Sequence, residues 1–327
     1  MIIKKLRVAV VGATGVVGKE MLSILNERSF PVEKVVPFCS SRSAGSRVDF
    51  GNRELVAEEL TTESFREHGI ELALFSAGAE ASRKFAPLAV DAGAVVIDNS
   101  SAFRMDPEVP LIVPEVNSRS AESHRGIIAN PNCSTIQMAV ALKPIQEKAG
   151  IKRVVVSTYQ SVSGTGKDAM EELWEQVNLI TSLRGEDIEP EVYPHQIAFN
   201  CLPHIDLFMD DLYTREEHKM VNETRKILED PSLAVTATAV RVPVFIGHAE
   251  SVNLELNSEL SADDARELLG NYPGIIVLDD QDKDEYPTPV EIAGNDAVFV
   301  GRIREDKTLA HGLNLWIVAD NLRKGAA

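Results

Sequence analysis

The chain has few cysteines, no excess of positive charge and no long apolar run. Its cysteines are Cys39, Cys133 and Cys201, which lie far apart and lack the C-x-x-C spacing of a zinc site. This distribution argues against a disulfide framework or a bound metal and predicts a protein of the reducing cytoplasm. The 33 basic and 50 acidic residues give a net charge of −17, so nucleic acid and anionic membranes are not expected partners. No segment approaches the ~20 apolar residues of a membrane span.

The first third of the chain alternates short apolar runs with stretches of helical spacing. Such alternation is typical of a doubly wound α/β domain, in which a parallel sheet is covered by helices on both faces. The domain is expected to end near Ile128. Its predicted strands are Leu6–Val11, Val35–Phe38, Leu72–Phe75, Val95–Ile97 and Leu111–Val113.

From Lys152 onwards, longer segments alternate apolar and polar residues. Alternation indicates strands with one wet or partner-facing side, so we expect an α+β domain with a mixed, largely antiparallel sheet and helices on one face. A sheet face of this size is often covered by a second subunit, hence we expect a homodimer and leave a tetramer open. The predicted strands are Arg153–Val162, Ala234–Val242, Glu250–Leu256 and Ala297–Ile303, and the predicted helices are Asp168–Leu183 and Arg215–Leu228.

A glycine-rich turn follows the first predicted strand and opens the first predicted helix. Glycines permit a tight turn and close backbone approach, and a helix N-terminus attracts a pyrophosphate. The spacing G-x-x-G-x-x-G is a looser match than G-x-G-x-x-G, and a plain strand–helix turn is the alternative. Its place in the first strand–turn–helix favours a Rossmann-like dinucleotide site. The residues are Gly12, Ala13, Thr14, Gly15, Val16, Val17 and Gly18.

The residues after the second predicted strand bear on the choice of dinucleotide. NAD-selective sites usually place Asp or Glu there to hold the ribose 2′-hydroxyl. This chain has Ser40, Ser41 and Arg42 instead, which offer hydroxyls and a guanidinium to a 2′-phosphate. We therefore predict NADP rather than NAD as the cofactor; the less favoured alternative is that Arg42 is a solvated loop residue.

Cys133 has the sequence context of a nucleophile. It follows Asn130-Pro131-Asn132, where the Asn-Pro pair is expected to end a strand, and the spacing of the apolar residues after it predicts a helix to about Lys148. A thiol on the first turn of a helix meets unpaired backbone N–H groups and the helix dipole, which favour the thiolate. A lone buried cysteine is usually a small apolar residue, but the polar collar of Cys133 favours catalysis.

A thiolate beside a nicotinamide suggests covalent aldehyde or acyl chemistry, which needs an acid or base. Of the seven histidines, His248 has the most suitable context, because a strand, a proline-containing turn and a second strand place it near Arg241. A surface or core role is the ordinary alternative for a histidine.

Nine motifs spread along the chain match the pattern of one known family. They are GATGVVG (12–18), SSRSAG (40–45), NSSAFRM (99–105), VPEVN (113–117), NPNCST (130–135), TYQSVSG (158–164), PHQIAFN (194–200), RVPV (241–244) and GHAESV (247–252). On these motifs the sequence resembles the aspartate-β-semialdehyde dehydrogenases from Val8 to Ala327. The related N-acetylglutamyl-phosphate reductases usually carry Gly in place of Asn132. Members of the family usually continue into a C-terminal helix beyond the position of Ala327, so we expect apolar surface that such a helix would cover.

The resemblance implies NADPH-dependent reductive dephosphorylation of L-aspartyl-4-phosphate to the semialdehyde and inorganic phosphate, in lysine (diaminopimelate), methionine and threonine biosynthesis. It implies that Cys133 is the nucleophile, His248 the acid/base and Gln160 a substrate-orienting residue. It further implies an NADP-binding domain at 1–130, joined by about 310–327, and a catalytic and dimerisation domain at 131–309. The implied substrate ligands are Ser100, Arg104, Asn132, Glu217, Lys219 and Arg241, with Asn99 as an alternative to Ser100, and the implied further cofactor ligands are Ser163, Gly164 and Asn321.

Two alternatives stay open from the sequence. One is a related acyl-phosphate reductase that acts on another acid, such as an N-acylglutamyl phosphate. The other is a non-catalytic NADP-binding paralogue or redox sensor. The joint presence of Cys133, Gln160, Arg241 and His248 argues against the second, because a binding module has no need of all four.

Overall fold

The computed structural model describes residues 4–327, which divide into two compact units. The first comprises the described residues up to Asn132 together with Ala326–Ala327, and the second is Cys133–Gly325. Residues 1–3, with which the predicted first domain begins, lie outside the described residues. Each unit contains its own main sheet.

The first unit contains a six-stranded parallel sheet in the order β5-β2-β1-β6-β7-β8, as predicted for a doubly wound domain. Two further strands, β3 and β4, form an antiparallel hairpin. The strands are β1 Leu6–Val11, β2 Val32–Cys39, β3 Arg47–Phe50, β4 Arg53–Val56, β5 Glu58–Glu59, β6 Leu72–Phe75, β7 Val95–Asp98 and β8 Ile127–Ala129. The helices are α1 Val16–Glu27, α2 Ser64–Glu67, α3 Ala79–Asp91 and α4 Pro114–Asn117.

Strand β1 is apolar from Val8 to Val11 because both of its faces are covered there. Val8 and Val10 pack in one cluster with Leu22 of α1. Ala9 and Val11 point to the opposite face, where they pack in a cluster that contains several phenylalanines. Burial of each large apolar side chain contributes about 1.5–3 kcal/mol, so these clusters hold the carboxyl end of β1, and the glycine turn after it, in place.

The second unit contains a mixed sheet in the order β10-β9-β11-β14-β13-β12. The pairs β10–β9 and β12–β13 are parallel and the others antiparallel, which confirms the predicted mixed, largely antiparallel sheet. The strands are β9 Ile151–Gln160, β10 Ala234–Arg241, β11 His248–Leu256, β12 Ile275–Val277, β13 Val298–Glu305 and β14 Gly312–Ala319. The helices are α5 Cys133–Ala149, α6 Lys167–Thr181, α7 Arg215–Ile227, α8 Ala262–Gly270 and α9 Pro289–Ile292.

Two predictions about the architecture were wrong. Leu111–Val113 is not a strand: only Leu111 forms an isolated bridge, to Ala129, and Ile127–Ala129 is the edge strand β8. The segment 310–327 does not join the first unit as a whole, because β14 pairs with β11 and β13 in the second sheet. Apolar runs alone do not distinguish a buried extended loop from a strand, which explains the first error.

Helix α5 is the central helix of the second unit. It packs on β9, β11, β13 and β14 and on the helices α7 and α8. Its sequence is therefore buried around most of its circumference, including the polar side chains of Ser134, Thr135 and Gln137. The helix that begins at Cys133 is thereby fixed against the sheet.

Within the part of the chain that is described, none of the helices combines the length and the apolar character that crossing a bilayer requires. Residues 4–327 also contain no group of three His, Cys, Asp or Glu side chains that is arranged to bind a metal ion.

Candidate active site

The glycine turn of the first unit fits a dinucleotide phosphate. Gly12 has φ +88°, and a Cβ there would overlap the carbonyl oxygen of Ser76. A Cβ at Gly18 would likewise overlap the Gly12 carbonyl oxygen. Helix α1 therefore packs closer to the glycine turn than a side chain at position 18 would allow. No side chain caps the N-terminus of α1 at Gly15 in the described structure, which leaves the dipole end open to an anion.

Among the predicted cofactor residues of this turn, the backbone amides have different partners. Gly12 and Ala13 donate theirs to the Phe38 carbonyl oxygen at 2.9 and 3.0 Å, and so join the turn to the end of β2. These two amides hold the turn, and the predicted phosphate contacts are left to Thr14, Val16 and Val17.

Ser40, Ser41 and Arg42 follow β2 directly and are exposed. Because β2 lies beside β1 in the parallel sheet, its carboxyl end and the glycine turn share one edge. If Ser40, Ser41 and Arg42 bind the 2′-phosphate as predicted, they must lie at the same edge of the sheet as the glycine turn.

The predicted phosphate ligands of the first unit lie after β7, and one of them has a structural role. Arg104 is buried and donates from Nη2 to the Asn99 carbonyl oxygen at 2.8 Å. The hydroxyl of Ser100, in contrast, donates to Asp98 at 2.7 Å and accepts from the Ala102 amide at 3.1 Å. Ser100 therefore stabilises the turn, and its proposed contact with phosphate is not supported by its hydrogen bonds.

Asn132 and Cys133 lie on either side of the boundary between the units. Asn132 is buried, while Cys133 is partly exposed and is the first residue of α5, as predicted. Among the described residues none of the three cysteines forms a disulfide. The thiol thus has the helix N-terminal position that favours a thiolate.

Gly325 approaches Cys133 closely, a feature that sequence reasoning missed. A Cβ at Gly325 would lie 2.5 Å from the Cys133 Cβ and 3.0 Å from its Cα. Such distances force one of the two backbones to move. The second unit therefore requires a residue without a side chain at position 325.

We expect Gly325→Ala to lower kcat by about 10-fold, because overpacking costs about 1–3 kcal/mol and here displaces the nucleophile. The measurement is steady-state kinetics together with the alkylation rate of Cys133. Gly185→Ala, where the nearest atom to a new Cβ lies at 3.6 Å, serves as the control. An unchanged kcat for Gly325→Ala would show that the close approach does not fix the thiol.

His248 is fully buried, and its hydrogen bonds define its tautomer. The backbone N–H of Ser161 donates to Nδ1 at 3.0 Å, so Nδ1 is an acceptor. The neutral imidazole then carries its proton on Nε2. Nε2 has no hydrogen-bond partner among the described residues. His248 is therefore arranged to donate a hydrogen bond from Nε2 to a group that enters the site.

Burial lowers the pKa of His248 well below its usual value, and the nearby positive charge of Arg241 lowers it further. The guanidinium donates from Nη1 to the Ser161 carbonyl oxygen at 2.6 Å. Its Nε has no partner in the described structure, so this edge remains able to bind a carboxylate. A Cβ at Gly164 would lie 3.3 Å from both Arg241 Nη1 and His248 Nε2, so the absence of a side chain there keeps this space open.

Asn321 connects the segments around His248. Its Oδ1 accepts from the Gly247 amide at 2.9 Å and from the Ser161 hydroxyl at 3.0 Å. Its Nδ2 donates to the Ser163 hydroxyl at 3.0 Å. The predicted residues Ser163, Gly164 and Asn321 thus lie together with His248. Ser161, which was not predicted, has no sequence pattern that indicates its role.

The predicted amino-group ligand Glu217 has a structural role. Its Oε2 accepts from the Thr214 amide at 2.7 Å in a capping box at the start of α7, and its Oε1 accepts from the Ala239 amide at 3.0 Å. Both oxygens of this buried carboxylate are therefore engaged by backbone. The prediction for Glu217 is not supported by this geometry.

Its neighbour Glu216 contacts the side chains of two other predicted site residues. It accepts from Gln160 Nε2 at 3.1 Å through Oε1 and from Lys219 Nζ at 3.1 Å through Oε2. Lys219 also forms an ion pair with Asp206 at 2.8 Å. Gln160, Glu216 and Lys219 form one cluster, whereas helical spacing alone would have assigned Glu216 to a solvated face.

Comparison with known proteins agrees with both halves of the fold. Residues 7–124 match the model of the family "Semialdehyde dehydrogenase, NAD binding domain", and residues 142–324 match "Semialdehyde dehydrogenase, dimerisation domain". The aspartate-semialdehyde dehydrogenase of Aquifex aeolicus is 55% identical over 325 residues, which cover 98% of this chain and 94% of that protein.

Solved structures give the same result. Aspartate semialdehyde dehydrogenase II of Vibrio cholerae, complexed with ASA, superimposes with a TM-score of 0.93 at 47% identity and covers 99% of this chain and 95% of that one. The Candida albicans enzyme with NADP has a TM-score of 0.75 at 26% identity, over 99% of this chain and 95% of that one. The fold, the two family matches and the sequence identity along nearly the whole chain agree. The chain belongs to the aspartate-semialdehyde dehydrogenase family of oxidoreductases.

Proposed function

We propose that the protein reduces L-aspartyl-4-phosphate to L-aspartate-4-semialdehyde with NADPH, releasing inorganic phosphate through a thioester on Cys133. This step serves the synthesis of lysine (with diaminopimelate), methionine and threonine in the cytoplasm. The arrangement of His248 carries the proposal. Its free Nε2–H, its neutral state and the adjacent Arg241 provide the hydrogen-bond donor and the anion site that this reaction needs.

In the first half-reaction, the Cys133 thiolate attacks the acyl carbon and the C–O bond to phosphate breaks. The backbone N–H groups at the start of α5 are donors for the oxyanion that forms in this step. Inorganic phosphate leaves, and the acyl group remains on sulfur as a thioester. The first turn of α5 therefore both activates the thiol and stabilises the developing negative charge.

Bound NADPH supplies the hydride that reduces the thioester carbon. The neutral His248 donates a hydrogen bond from Nε2–H to the oxyanion of the resulting thiohemiacetal and stabilises its charge. When the C–S bond breaks, the oxyanion becomes the carbonyl oxygen of the aldehyde, the Cys133 thiolate is regenerated, and His248 keeps its proton. Because the Ser161 amide fixes Nδ1 as an acceptor, the hydrogen bond to the substrate oxygen comes from Nε2.

Charges in the second unit match those of the substrate. Arg241 binds the α-carboxylate through its open guanidinium edge, which a lysine side chain could not do in a bidentate manner. Glu216, with Gln160 beside it, binds the amino group in place of Glu217. Lys219 and Arg104 are the cations that we assign to the phosphate, with Asn99 or Asn132 as further polar ligands.

The cofactor-binding residues are those of the glycine turn, Ser40, Ser41 and Arg42, with Ser163, Gly164 and Asn321 at the nicotinamide. The shape of the turn at Gly12 and the uncapped start of α1 support a pyrophosphate there. NADP in the Candida albicans structure supports this nucleotide for the present chain.

We expect Arg42→Ala to raise the Kd for NADPH by about 10-fold or more and to leave that for NADH nearly unchanged, because the variant loses a charge-assisted contact worth about 1.5–3 kcal/mol. Fluorescence titration with both nucleotides is the measurement. Arg28→Ala, on the loop before β2, is the matched surface control. Equal effects on NADPH and NADH would refute a role in binding the 2′-phosphate.

We further propose a homodimer, for which the match to a dimerisation domain over residues 142–324 is the support. The ring centroids of Tyr159 on β9 and Trp316 on β14 lie 5.5 Å apart on the sheet of the second unit. The side chain of Tyr159 is partly exposed. Apolar residues on a broad sheet face are suited to a second copy.

The decisive assay follows NADP reduction with aspartate semialdehyde in the presence and absence of phosphate. The proposal predicts sustained turnover only when phosphate is present. Equal or faster turnover with N-acetylglutamate semialdehyde would assign the protein to the alternative acyl-phosphate reductases. NADPH binding without turnover on either aldehyde would indicate the non-catalytic alternative.

A further inference from the structure

Glu250 is a fully buried carboxyl group that the proposed chemistry does not use. It lies on β11 two residues after His248, and its exposed fraction is 0%. Alternate residues of a strand point to the same face, so the two side chains share a face about 7 Å apart along the strand. In the sheet, Glu250 lies opposite Thr158 of β9 and Ile317 of β14, in the interior.

The polar side chain of Gln137, on α5, acts on Glu250. Neither carboxyl oxygen of Glu250 meets the geometry of a hydrogen bond, and Gln137 Oε1 also has no partner. Burial raises the pKa of Glu250 well above its usual value, while the Gln137 side chain acts in the opposite direction. A carboxyl group in such surroundings takes up a proton, since an unpaired buried charge is costly.

Gln137 links the two elements that carry the reactive side chains. It lies one turn after Cys133 on α5, and its Nε2 donates a long hydrogen bond of 3.4 Å to the His248 carbonyl oxygen. An amide has a donor end and an acceptor end. A protonated Glu250 can therefore donate to Oε1 while Nε2 donates to β11, which gives a partner to Gln137 Oε1 and to the protonated oxygen of Glu250.

We propose that Glu250 is a positioning residue: as a neutral carboxylic acid it donates a hydrogen bond to Gln137, and Gln137 holds the first turn of α5 against His248. Its effect on turnover rests on the proposed function, but the hydrogen bond itself does not. The neutral state also suits catalysis, because a carboxylate on the same face would stabilise the imidazolium form of His248.

The kinetic test compares Glu250→Gln with Glu250→Leu. A glutamine amide can donate to Gln137 Oε1, so we expect its kcat to stay within about 3-fold of the unmodified enzyme. Leucine cannot donate, and misplacement of Cys133 relative to His248 is expected to lower kcat about 10–100-fold while the KM for NADPH changes less than about 2-fold. Glu255→Gln, on the same strand but in an ion pair with Lys152, is the matched control and should behave like the unmodified enzyme.

Equal loss in the glutamine and leucine variants would overturn the proposal, and so would a leucine variant with full activity. Two measurements without substrate keep it testable if the leucine variant does not fold or if the proposed activity is absent. The alkylation rate of Cys133, followed by mass spectrometry, should be unchanged in Glu250→Gln and altered in Gln137→Leu. An unaltered rate in Gln137→Leu would show that Gln137 does not hold the helix turn.

The second measurement is the melting temperature as a function of pH. A protonated Glu250 binds a proton in the folded state that the unfolded chain has lost above the ordinary glutamate pKa, so stability falls as pH rises. Glu250→Gln lacks this linkage. The melting temperature of the variant minus that of the unmodified protein should therefore increase between about pH 5 and 8. A constant or shrinking difference over this range would show that Glu250 is ionised.

Discussion

Replacement of Cys133 by alanine is expected to reduce turnover by about 10⁴-fold or more, while NADPH still binds. The thiol is the only group in the proposed mechanism that forms a bond to the acyl carbon, so no neighbouring side chain can replace it. The variant should remain folded, because Cys133 is partly exposed and alanine is a good helix former. The measurements are NADP reduction with aspartate semialdehyde and phosphate, and NADPH titration by fluorescence.

Cys201→Ala is the matched control for this variant. Cys201 is exposed and far from Cys133 in sequence, so its loss should leave turnover unchanged. Turnover retained in Cys133→Ala would refute covalent catalysis, whereas loss of NADPH binding would assign Cys133 a structural role.

Replacement of His248 by alanine is expected to lower kcat by about 10²–10³-fold, which is the usual cost of removing one hydrogen-bond donor to a developing oxyanion. In the unmodified enzyme, kcat should show no inflection near the ordinary histidine pKa of about 6.5, because burial and Arg241 keep His248 neutral. His124→Ala, which alters a histidine of the first unit, is the control. An unchanged kcat in His248→Ala would assign the stabilisation of the oxyanion to another group.

The lowered pKa of His248 also has a consequence for stability. As pH falls below about 6.5, the unfolded chain takes up a proton that the folded chain does not, so the free energy of unfolding decreases. The slope from this one group is at most about 1.4 kcal/mol per pH unit. His248→Asn should lack this component, and equal pH profiles of the melting temperature would show that His248 titrates normally in the folded protein.

The sequence predicted the fold well where patterns were long and regular. Buried strands such as β1 and alternating strands such as β11 have periods that reveal their environment. The prediction of strands was wrong at β8 and at Leu111–Val113. Both segments are short and apolar, so their sequences do not reveal which of them pairs with β7 as a strand. It also missed β14 as part of the second sheet, because strand partners distant in sequence leave no local pattern.

For the site, residue types with distinctive chemistry were predictable and their partners were not. Cys133 and the glycine turn have local signatures that follow from helix termini and tight turns. Glu216 and Glu217 are adjacent glutamates that face different sides of α7. The capping box with Thr214 determines that Glu217 is the one that binds the start of the helix. The contact of Ser161 with His248 is made by a backbone amide, which no residue type can reveal.

The most direct test of covalent catalysis is a single-turnover experiment with aspartate semialdehyde and NADP in the absence of phosphate. We predict a burst of NADPH equal to the concentration of active sites, with an aspartyl group on the Cys133 peptide in the mass spectrum and its release on addition of phosphate. Sustained turnover with phosphate but without a burst or an adduct on Cys133 would contradict the thioester mechanism.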